Sequence, residues 1–549
     1  MNASASPTGE QSQPVSAWAP LRSPMFRWVW LATLFSNIGG WVHDTTSGWV
    51  MATLTPSPLL VSLVSAVDEL SVLMLVLIAG ALADIVDRRK FIVFAQTWML
   101  ITAAVLALLS YRGTLNPTSL LLLTLAMGVG SAFAMPALSA SVPELVPMEE
   151  LPAAIALSSI AMNVARAIGP ALGGAIISRW GPAFAYLFNA LSFVSVILVF
   201  ALWRRTPTPS ALPAERFMGA MRAGLRYTRG SPEFQSVLLR ALSFFLFANT
   251  SWALLPLIAK VQLHGGPGTY GILLGAVGAG AIAAAMVLPG VRRHVSRGTQ
   301  VLSATMLYSA TMLAMAWIRS EPVLIAVMLI SGAAWITVLS ALQVSAQTSV
   351  PSWVRARALS VYIMVFSGGL FACSIFWGWV ATRFGVPQAL TAAAGCAVLA
   401  ALATSRIDLK GKDPKDLMPS AHWPQPVVAE DLEHDRGPVM TTIEYRVGLD
   451  RRVAFLETIQ ALGQTRRRDG AIYWDVFEDA AQPGRYLEMF LSESWLEHLR
   501  EHERVSFDDR RMEVQVRAFH VGEAPTVRHY VGGVPGKAAL SAPSTRDDE

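Results

Sequence analysis

Charge is what this sequence has least of. Only 15% of its 549 residues are Asp, Glu, Lys or Arg, where a soluble domain carries about 25%, and the deficit argues against a water-soluble enzyme. Cysteine is nearly absent. Cys373 and Cys396 both fall in apolar runs, which reads as two small buried side chains and excludes a disulfide or cysteine–metal framework. The first 24 residues are Ser- and Pro-rich and lack the short apolar core of a secretory signal, so the N-terminus is expected to stay in the cytoplasm. An excess of base is small, 43 Lys plus Arg against 38 Asp plus Glu. Most of that arginine lies in short loops beside apolar spans, where it sets topology, so no nucleic-acid partner is expected.

What is abundant is apolar surface: 53% of residues are hydrophobic and the mean hydropathy is +0.45. A bilayer core about 30 Å thick needs roughly 20 apolar residues per helix, and runs of that length recur from Phe26 to about Ser405. They predict an all-α polytopic membrane protein with about twelve transmembrane helices in two six-helix halves. Alternate loops collect cations: Arg88, Arg89 and Lys90, then Arg204 through Arg240, then Arg292, Arg293 and Arg297, then Arg355 and Arg357. The opposite loops hold one each, Arg112, Arg179, Lys260, Arg319 and Arg383. That asymmetry predicts a multi-pass protein of the cytoplasmic (inner) membrane with both termini cytoplasmic. The acidic loop at Met148 to Glu150 is the exception.

The stretches 146–181 and 350–385 align without a gap and share Val146/Val350, Pro147/Pro351, Ala154/Ala358, Gly174/Gly378, Arg179/Arg383 and Gly181/Gly385. A duplicated half is common in transporters. Between the halves, ERFMGAMRAGLRYTRG sets Phe217, Met221 and Leu225 on one helical face against Arg222, Arg226 and Arg229, a pattern suited to the membrane surface. The domain plan is a cytoplasmic tail over 1–25, a first half over 26–204, a cytoplasmic linker with an amphipathic helix over 205–235, a second half over 236–405, a linker over 406–437, a soluble domain over 438–530 and a flexible tail over 531–549.

GALADIVDRRK, residues 80 to 90, resembles the loop motif G-x-L-A-D-[RK]-x-G-[RK]-[RK] of the major facilitator superfamily, matched at Gly80, Leu82, Ala83, Asp84, Arg88 and Arg89. Ile85 stands where a cation is usual and Asp87 where glycine is usual. The resemblance implies a gate made by Gly80, Asp84, Arg88 and Arg89, with Asp84 and Arg88 at i,i+4 as the plausible pair; the plainer reading is a topology anchor. RAIGPALGG, Arg166 to Gly174, resembles the G-P-x-x-G-G motif of exporters in that superfamily. There Pro170 removes a backbone donor, and Gly169, Gly173 and Gly174 permit close helix packing. The order of motifs is similar to the branch that includes enterobactin exporters, over roughly residues 20 to 405. The resemblance implies a small-molecule substrate, siderophore-like or drug-like, moved by efflux through a proton-coupled antiporter embedded in the lipid bilayer.

Ionisable groups at bilayer depth are costly and usually face a cavity. Here they concentrate in the first half: His43 and Asp44, Asp68 and Glu69, and Arg166. Asp44, Asp68, Glu69 and Arg166 are the candidates for proton coupling or the substrate cavity, with an Asp68 to Arg166 pair as one expectation and a merely static pair as the other. Adjacent residues point about 100° apart on a helix, so Asp68 and Glu69 cannot share one partner. The second half offers Asn249 and Gln343, while Trp252, Trp335, Tyr362 and Trp377 read as core or lipid-facing.

After Arg406 the composition turns charged. PVMTTIEYRVGL alternates as a strand, AFLETIQALGQTRRR is helical by period, AIYWDVFED and RYLEMFLSES are strands, SWLEHLREHER is a helix and MEVQVRAFHVG is expected to close as a strand. The order predicts a small α+β ferredoxin-like soluble domain, and it resembles the α/β-barrel domains of the antibiotic-biosynthesis monooxygenase type. His498 and His502 stand at a spacing that can hold a metal, and Trp474 and Trp495 can line a pocket. HLREH is not the HExxH pattern, so a solvated face is the favoured reading. No catalytic residue, cofactor or metal is expected, and the domain is expected to regulate or to form a homodimer. The rival readings are a membrane-tethered enzyme or sensor working through this domain, and an importer of the same fold.

Overall fold

The computed structural model describes residues 16–203, 217–351, 353–409, 411, 415–420, 422–423 and 436–533; within them the side chains of 77, 80, 81, 83–85, 217–221, 223 and 503 lie outside the description. The described residues form two compact units, one containing 239–343 and 363–408 with the chain up to 214, the other containing 215–238, 344–362 and the chain from 409.

Proline sets where many helices begin. The helices α1 (Pro24–Leu54), α2 (Pro58–Ile85), α4 (Pro117–Ser141), α6 (Pro182–Leu202), α8 (Pro232–Leu257) and α9 (Pro267–Val291) all open on it, at the position where its missing N–H has no intrahelical acceptor to lose. Between and after them run α3 (Arg88–Tyr111), α5 (Leu151–Trp180), α7 (Phe217–Gly230), α10 (Arg297–Trp317), α11 (Glu321–Thr348), α12 (Arg355–Phe384) and α13 (Val386–Thr404). Ten of the described helices are long and apolar enough to cross a membrane. Helices α1 and α10 are as long but carry more polar residues, among them Asn37, His43 and Asp44 in α1 and Gln300, Thr305 and Ser309 in α10.

The internal repeat surfaces as geometry. Gly181 and Gly385, equivalent in the alignment, both take a left-handed backbone, φ 89° and 95°, at the turn into the next helix, a conformation cheap only for glycine. Gly174 and Gly378 are equivalent as well. A Cβ on Gly174 would lie 2.7 Å from the Pro267 carbonyl oxygen and 2.9 Å from Gly271 Cα of α9, and one on Gly378 would collide with the Ser62 hydroxyl of α2. Each therefore sits on a seam where a helix of α1–α6 meets one of α8–α13. At the end where α1 turns into α2, Leu59 N donates to Thr382 Oγ1 at 3.1 Å and Lys260 Nζ to the Ala52 carbonyl at 2.7 Å. One apolar cluster there joins Val50, Met51, Leu254, Leu257 and Ala381.

A buried guanidinium holds the last of these helices. Arg240 Nη1 donates to the Thr404, Ser405 and Ile407 carbonyls at 3.0, 3.3 and 3.0 Å and Nη2 to the Gly298 carbonyl at 3.0 Å. The Thr404 and Ser405 carbonyls are among those the C-terminus of α13 leaves without partners, and the bond to Gly298 ties that end to the start of α10.

In the second unit, β1 (Val439–Arg446), β2 (Tyr473–Glu478), β3 (Arg485–Ser492) and β4 (Thr526–Val531) make an antiparallel sheet in the order β2-β3-β1-β4. Helix α14 (Arg452–Asp469) joins β1 to β2, while α15 (Trp495–Arg504) and α16 (Phe507–Arg517) lie between β3 and β4. The segment from Met512 to Val516 is thus helix, not the closing strand that its alternation suggests. Ser506 caps α16 in a reciprocal box with Asp509, and Met512 and Val516 at i,i+4 join the core while Val514 stays exposed; a cap and a helical stripe outweigh a short period of two.

The core of this sheet is polar at its centre. Arg466 reaches Glu513 at 2.6 Å and Glu488 at 3.3 Å, all three buried. Trp474 Nε1 and Tyr445 Oη donate to Glu488 at 3.0 and 2.9 Å. Burial raises the Glu513 carboxyl, yet the Arg466 charge and bonds from His422 and Trp423 bring it down to about 2.

Helix α7 packs within this unit as well. A Cβ on Gly224 would lie 2.9 Å from Arg357 Cβ, Tyr227 Oη donates to the Ser349 carbonyl at 3.2 Å, Arg468 stacks over Tyr227 at 5.5 Å, and Arg226 pairs with Glu497 of α15 at 3.8 Å. Helix α7 therefore packs on α14 and α15, with Arg226 facing Arg504 as well as Glu497, Glu501 and Asp469. Of its predicted apolar face, Leu225 is exposed, and Phe217 and Met221 have side chains outside the description.

Two outcomes follow. Gly280→Ala and Gly332→Ala should each destabilise the purified protein by about 1–3 kcal/mol in a thermal melt, since an added Cβ meets the Leu329 or Val277 carbonyl, while Gly395→Ala, with open space around it, should be neutral. Arg466→Met strands two buried carboxylates and should cost about 3–5 kcal/mol, seen as faster proteolysis of the tail in otherwise intact protein.

Candidate substrate cavity and gate

Polar side chains in the first six helices are arranged around a space. A cavity of about 410 Å³ opens among α1–α6, and Asn37, Asp44, Asp68, Gln96 and Asn189 line it together with Met and Phe side chains. Asp44 is exposed to that space and Asp68 half-buried, with Asp68 Oδ1 close to α4 at Gly128. Glu69, one residue on, does not line the cavity and lies within hydrogen-bond reach of Ser367 on α12, the divergence that adjacent helical positions require. His43 is buried beside it, its ring 5.5 Å from Tyr186.

Arg166 is placed differently from expectation. Its Nε and Nη1 are buried without a hydrogen-bond partner, and its guanidinium stacks over Trp41 at 5.7 Å; Asp68 and Arg166 are not ion-paired. The face of α5 that carries Arg166 packs on α1 and α9, where the Arg166 carbonyl abuts Gly278, while Asp68 faces α4. Trp41 then leads into aromatic residues of the later helices: Trp252 at 6.2 Å from it and Trp335 at 5.9 Å from Trp252. Trp335, Trp377 and Tyr362 are buried. The sequence reading missed Trp41, Gln96 and Asn189, because uncharged residues in an apolar run carry no signal until the helices are assembled.

The exporter-like motif divides its glycines between two neighbours. A Cβ on Gly173 would meet Val42 Cα of α1 at 3.2 Å and one on Gly174 meets α9, while Gly169 sits against Trp41 and Pro170 offers its carbonyl to Gly271.

At the opposite loop, Arg88 donates to the Ala140 carbonyl at 3.1 Å and pairs with Glu144 at 2.7 Å. Arg89 donates to the Phe200 carbonyl at 2.9 Å and to that of Ala201. The loop between α2 and α3 is thereby tied to the ends of α4 and α6. Asp87 is the N-cap of α3, accepting from Lys90 N at 3.1 Å, which gives a reason for aspartate where the motif has glycine. The side chains of Gly80, Asp84 and Ile85 lie outside the described residues, so the expected Asp84 to Arg88 pair does too. In the tail, Trp474 is core and Trp495 stacks on His498 at 5.4 Å.

The sequence profile of the transmembrane secretion effectors, a branch of the major facilitator superfamily, matches residues 15–534. The chain belongs to that family. This transmembrane secretion effector is a multi-pass membrane transporter of the major facilitator type and not an enzyme. It is 23% identical over 292 residues to the staphyloferrin A transporter of Staphylococcus aureus, covering 53% of this chain and 73% of that one. It is 26% identical over 334 residues to the enterobactin exporter of Citrobacter koseri, covering 58% and 76%. Among solved structures, a bacterial homologue of the human lysosomal transporter Spinster, inward-facing and unoccupied, matches with a TM-score of 0.56 at 17% identity over 72% of this chain and 99% of that one. An inward-facing bacterial homologue of the iron transporter ferroportin matches with 0.56 at 14% identity over 70% and 99%. The profile match runs through the tail as far as residue 534.

The Arg88–Glu144 pair is partly exposed and worth about 1 kcal/mol, or about fivefold in an equilibrium between states. Glu144→Gln should slow transport by roughly that factor in reconstituted vesicles, and the swap Arg88→Glu with Glu144→Arg should recover part of it. An unchanged rate in Glu144→Gln would leave the pair as a topology anchor.

Proposed function

We propose that the chain exports small organic molecules, siderophore-like or drug-like, across the cytoplasmic membrane in exchange for protons. The observation that carries this reading is the cavity in α1–α6, where Asp44 and Asp68 share one lumen; behind the lining residue Trp41, Arg166 keeps two buried nitrogens without a hydrogen-bond partner. A carboxyl alternately wetted and enclosed takes up and releases a proton, and an unpaired buried guanidinium is a natural seat for an anionic substrate group. The enterobactin exporters among the relatives support both direction and substrate class.

In this reading α1–α6 and α8–α13 are twelve crossings with both termini cytoplasmic. The end where Lys260 meets Ala52 then faces outward, and the contacts there belong to a state sealed on the outer side, like the inward-facing neighbours. Gly80, Asp84, Arg88 and Arg89 latch the other side, Asp44, Asp68 and Glu69 couple protons, and the seam at Gly169, Pro170, Gly173 and Gly174 is where the two halves rock. The tail is a ferredoxin-like domain of the antibiotic-biosynthesis monooxygenase type that regulates transport or pairs two copies.

The test is proton movement in inverted vesicles of the purified protein, challenged with a panel of siderophores and amphiphilic drugs. Substrate-dependent proton flux is expected in the wild type and is expected to be abolished by Asp68→Asn and by Asp44→Asn. Undiminished flux in both folded variants removes the coupling assignment, and substrate movement without protons removes antiport.

A further inference from the structure

Three histidines converge in the tail, from two elements far apart in sequence. His498 and His502 stand one turn apart on α15, and His529 comes from β4, where it lies opposite Thr441 of β1. One ring nitrogen from each lies within 4.8 Å of those of the other two. His498 is fully buried and the other two half-buried. We propose that His498, His502 and His529 form a binding site for a divalent transition-metal ion of the zinc class.

Distance comes first. Zinc binds imidazole nitrogen at about 2.0–2.1 Å with tetrahedral geometry, which sets neighbouring ligand nitrogens about 3.3–3.4 Å apart. His498 Nε2 and His502 Nε2 are 3.3 Å apart, long for a hydrogen bond between two rings and right for two ligands of one ion. His529 stacks beside His498 with ring centroids 4.9 Å apart, so the third ligand is already at the site.

The surroundings select the same chemistry. His498 Nδ1 is buried without a hydrogen-bond partner, and the nearest carboxylate, Glu501, has Oε2 3.8 Å from it. Glu501 is itself buried, accepts from Ser492 Oγ at 2.7 Å and keeps Oε1 unpartnered. Closing that 3.8 Å gap to hydrogen-bond distance would let Glu501 accept from His498 Nδ1 and fix the tautomer that leaves Nε2 free to ligate. The other charges that bear on His502 are Arg466 of α14 and Glu513 of α16, and these are already paired with each other. With nitrogen ligands and no thiolate, the set suits zinc, copper, nickel or iron, and three protein ligands leave a coordination position for an exchangeable group.

Helix α15 also carries Glu497, the partner of Arg226 on α7. A bound ion would therefore pin to β4 the same helix that receives the linker, which gives the tail a means of sensing metal.

The experiment uses full-length protein in detergent, stripped with a chelator and then titrated with Zn²⁺ by calorimetry and with Co²⁺ by visible absorption. The expected result is one ion per chain, with the intense absorption of tetrahedral Co²⁺. His529→Ala and His529→Gln should each weaken binding by at least 100-fold, about the upper limit for loss of an outer-shell partner, whereas Glu501→Gln should weaken it about 10-fold. His529→Gln keeps most of the side-chain volume, and folding of each variant is checked by its elution profile and melting temperature. Absence of saturable binding in the wild type, or binding that survives both His529 variants, would overturn the proposal and leave the cluster as packed imidazole.

Discussion

Close approach of backbone to backbone at glycine is the constraint on which the helical part of this protein depends. In lipid there is no hydrophobic drive to bring helices together, so association rests on contact at short range. Here α5 meets α9 that way through Gly174 and Gly271, and α2 meets α12 where Gly378 leaves room for Ser62 and Leu59. The same device recurs inside the later group at Gly280 and Gly332. Large side chains are thereby released from holding the bundle and can line a space or face lipid.

That division shows in where the polar groups went. Of the carboxylates described in α1 and α2, Asp44 and Asp68 line one cavity and Glu69 turns to Ser367, while the later helices offer aromatic rings and hydroxyls, such as Trp252 and Trp335, with Asn249 bonded to Ser374 at 2.8 Å. A charge at bilayer depth is expensive, and placing two of the carboxylates on one cavity confines that cost. The tail solves the opposite problem. Its core has water-bonding groups in excess, and it buries Arg466 between two carboxylates, where every partner must be in place.

Much of the fold was legible because it is written in long-period features: apolar runs and a tail whose strands alternate. The RAIGPALGG motif was legible as a packing surface because small residues have few other uses there. What was not legible depended on assembly. The Asp68 to Arg166 pair looked sound from depth along each helix, but depth says nothing about azimuth, and α5 turns Arg166 toward Trp41. Glu144, which pairs with Arg88 at 2.7 Å, was not singled out, because a lone acid 56 residues along the chain gives no spacing to tie the two. The strand predicted at MEVQV lost to a cap at Ser506 that lies six residues before it. His529 was invisible because a single histidine in a short strand has no spacing to betray it.

Gly181 with Gly385 and Gly174 with Gly378 are among the few identities left between the repeats, and all four act through what a side chain would obstruct. Two of the six identities between the repeats thus fall where the chain's handedness and thickness matter. Such a frame is indifferent to its cargo: the lining of the cavity can be rewritten residue by residue, and a lineage can change what it carries without ever relearning how to fold.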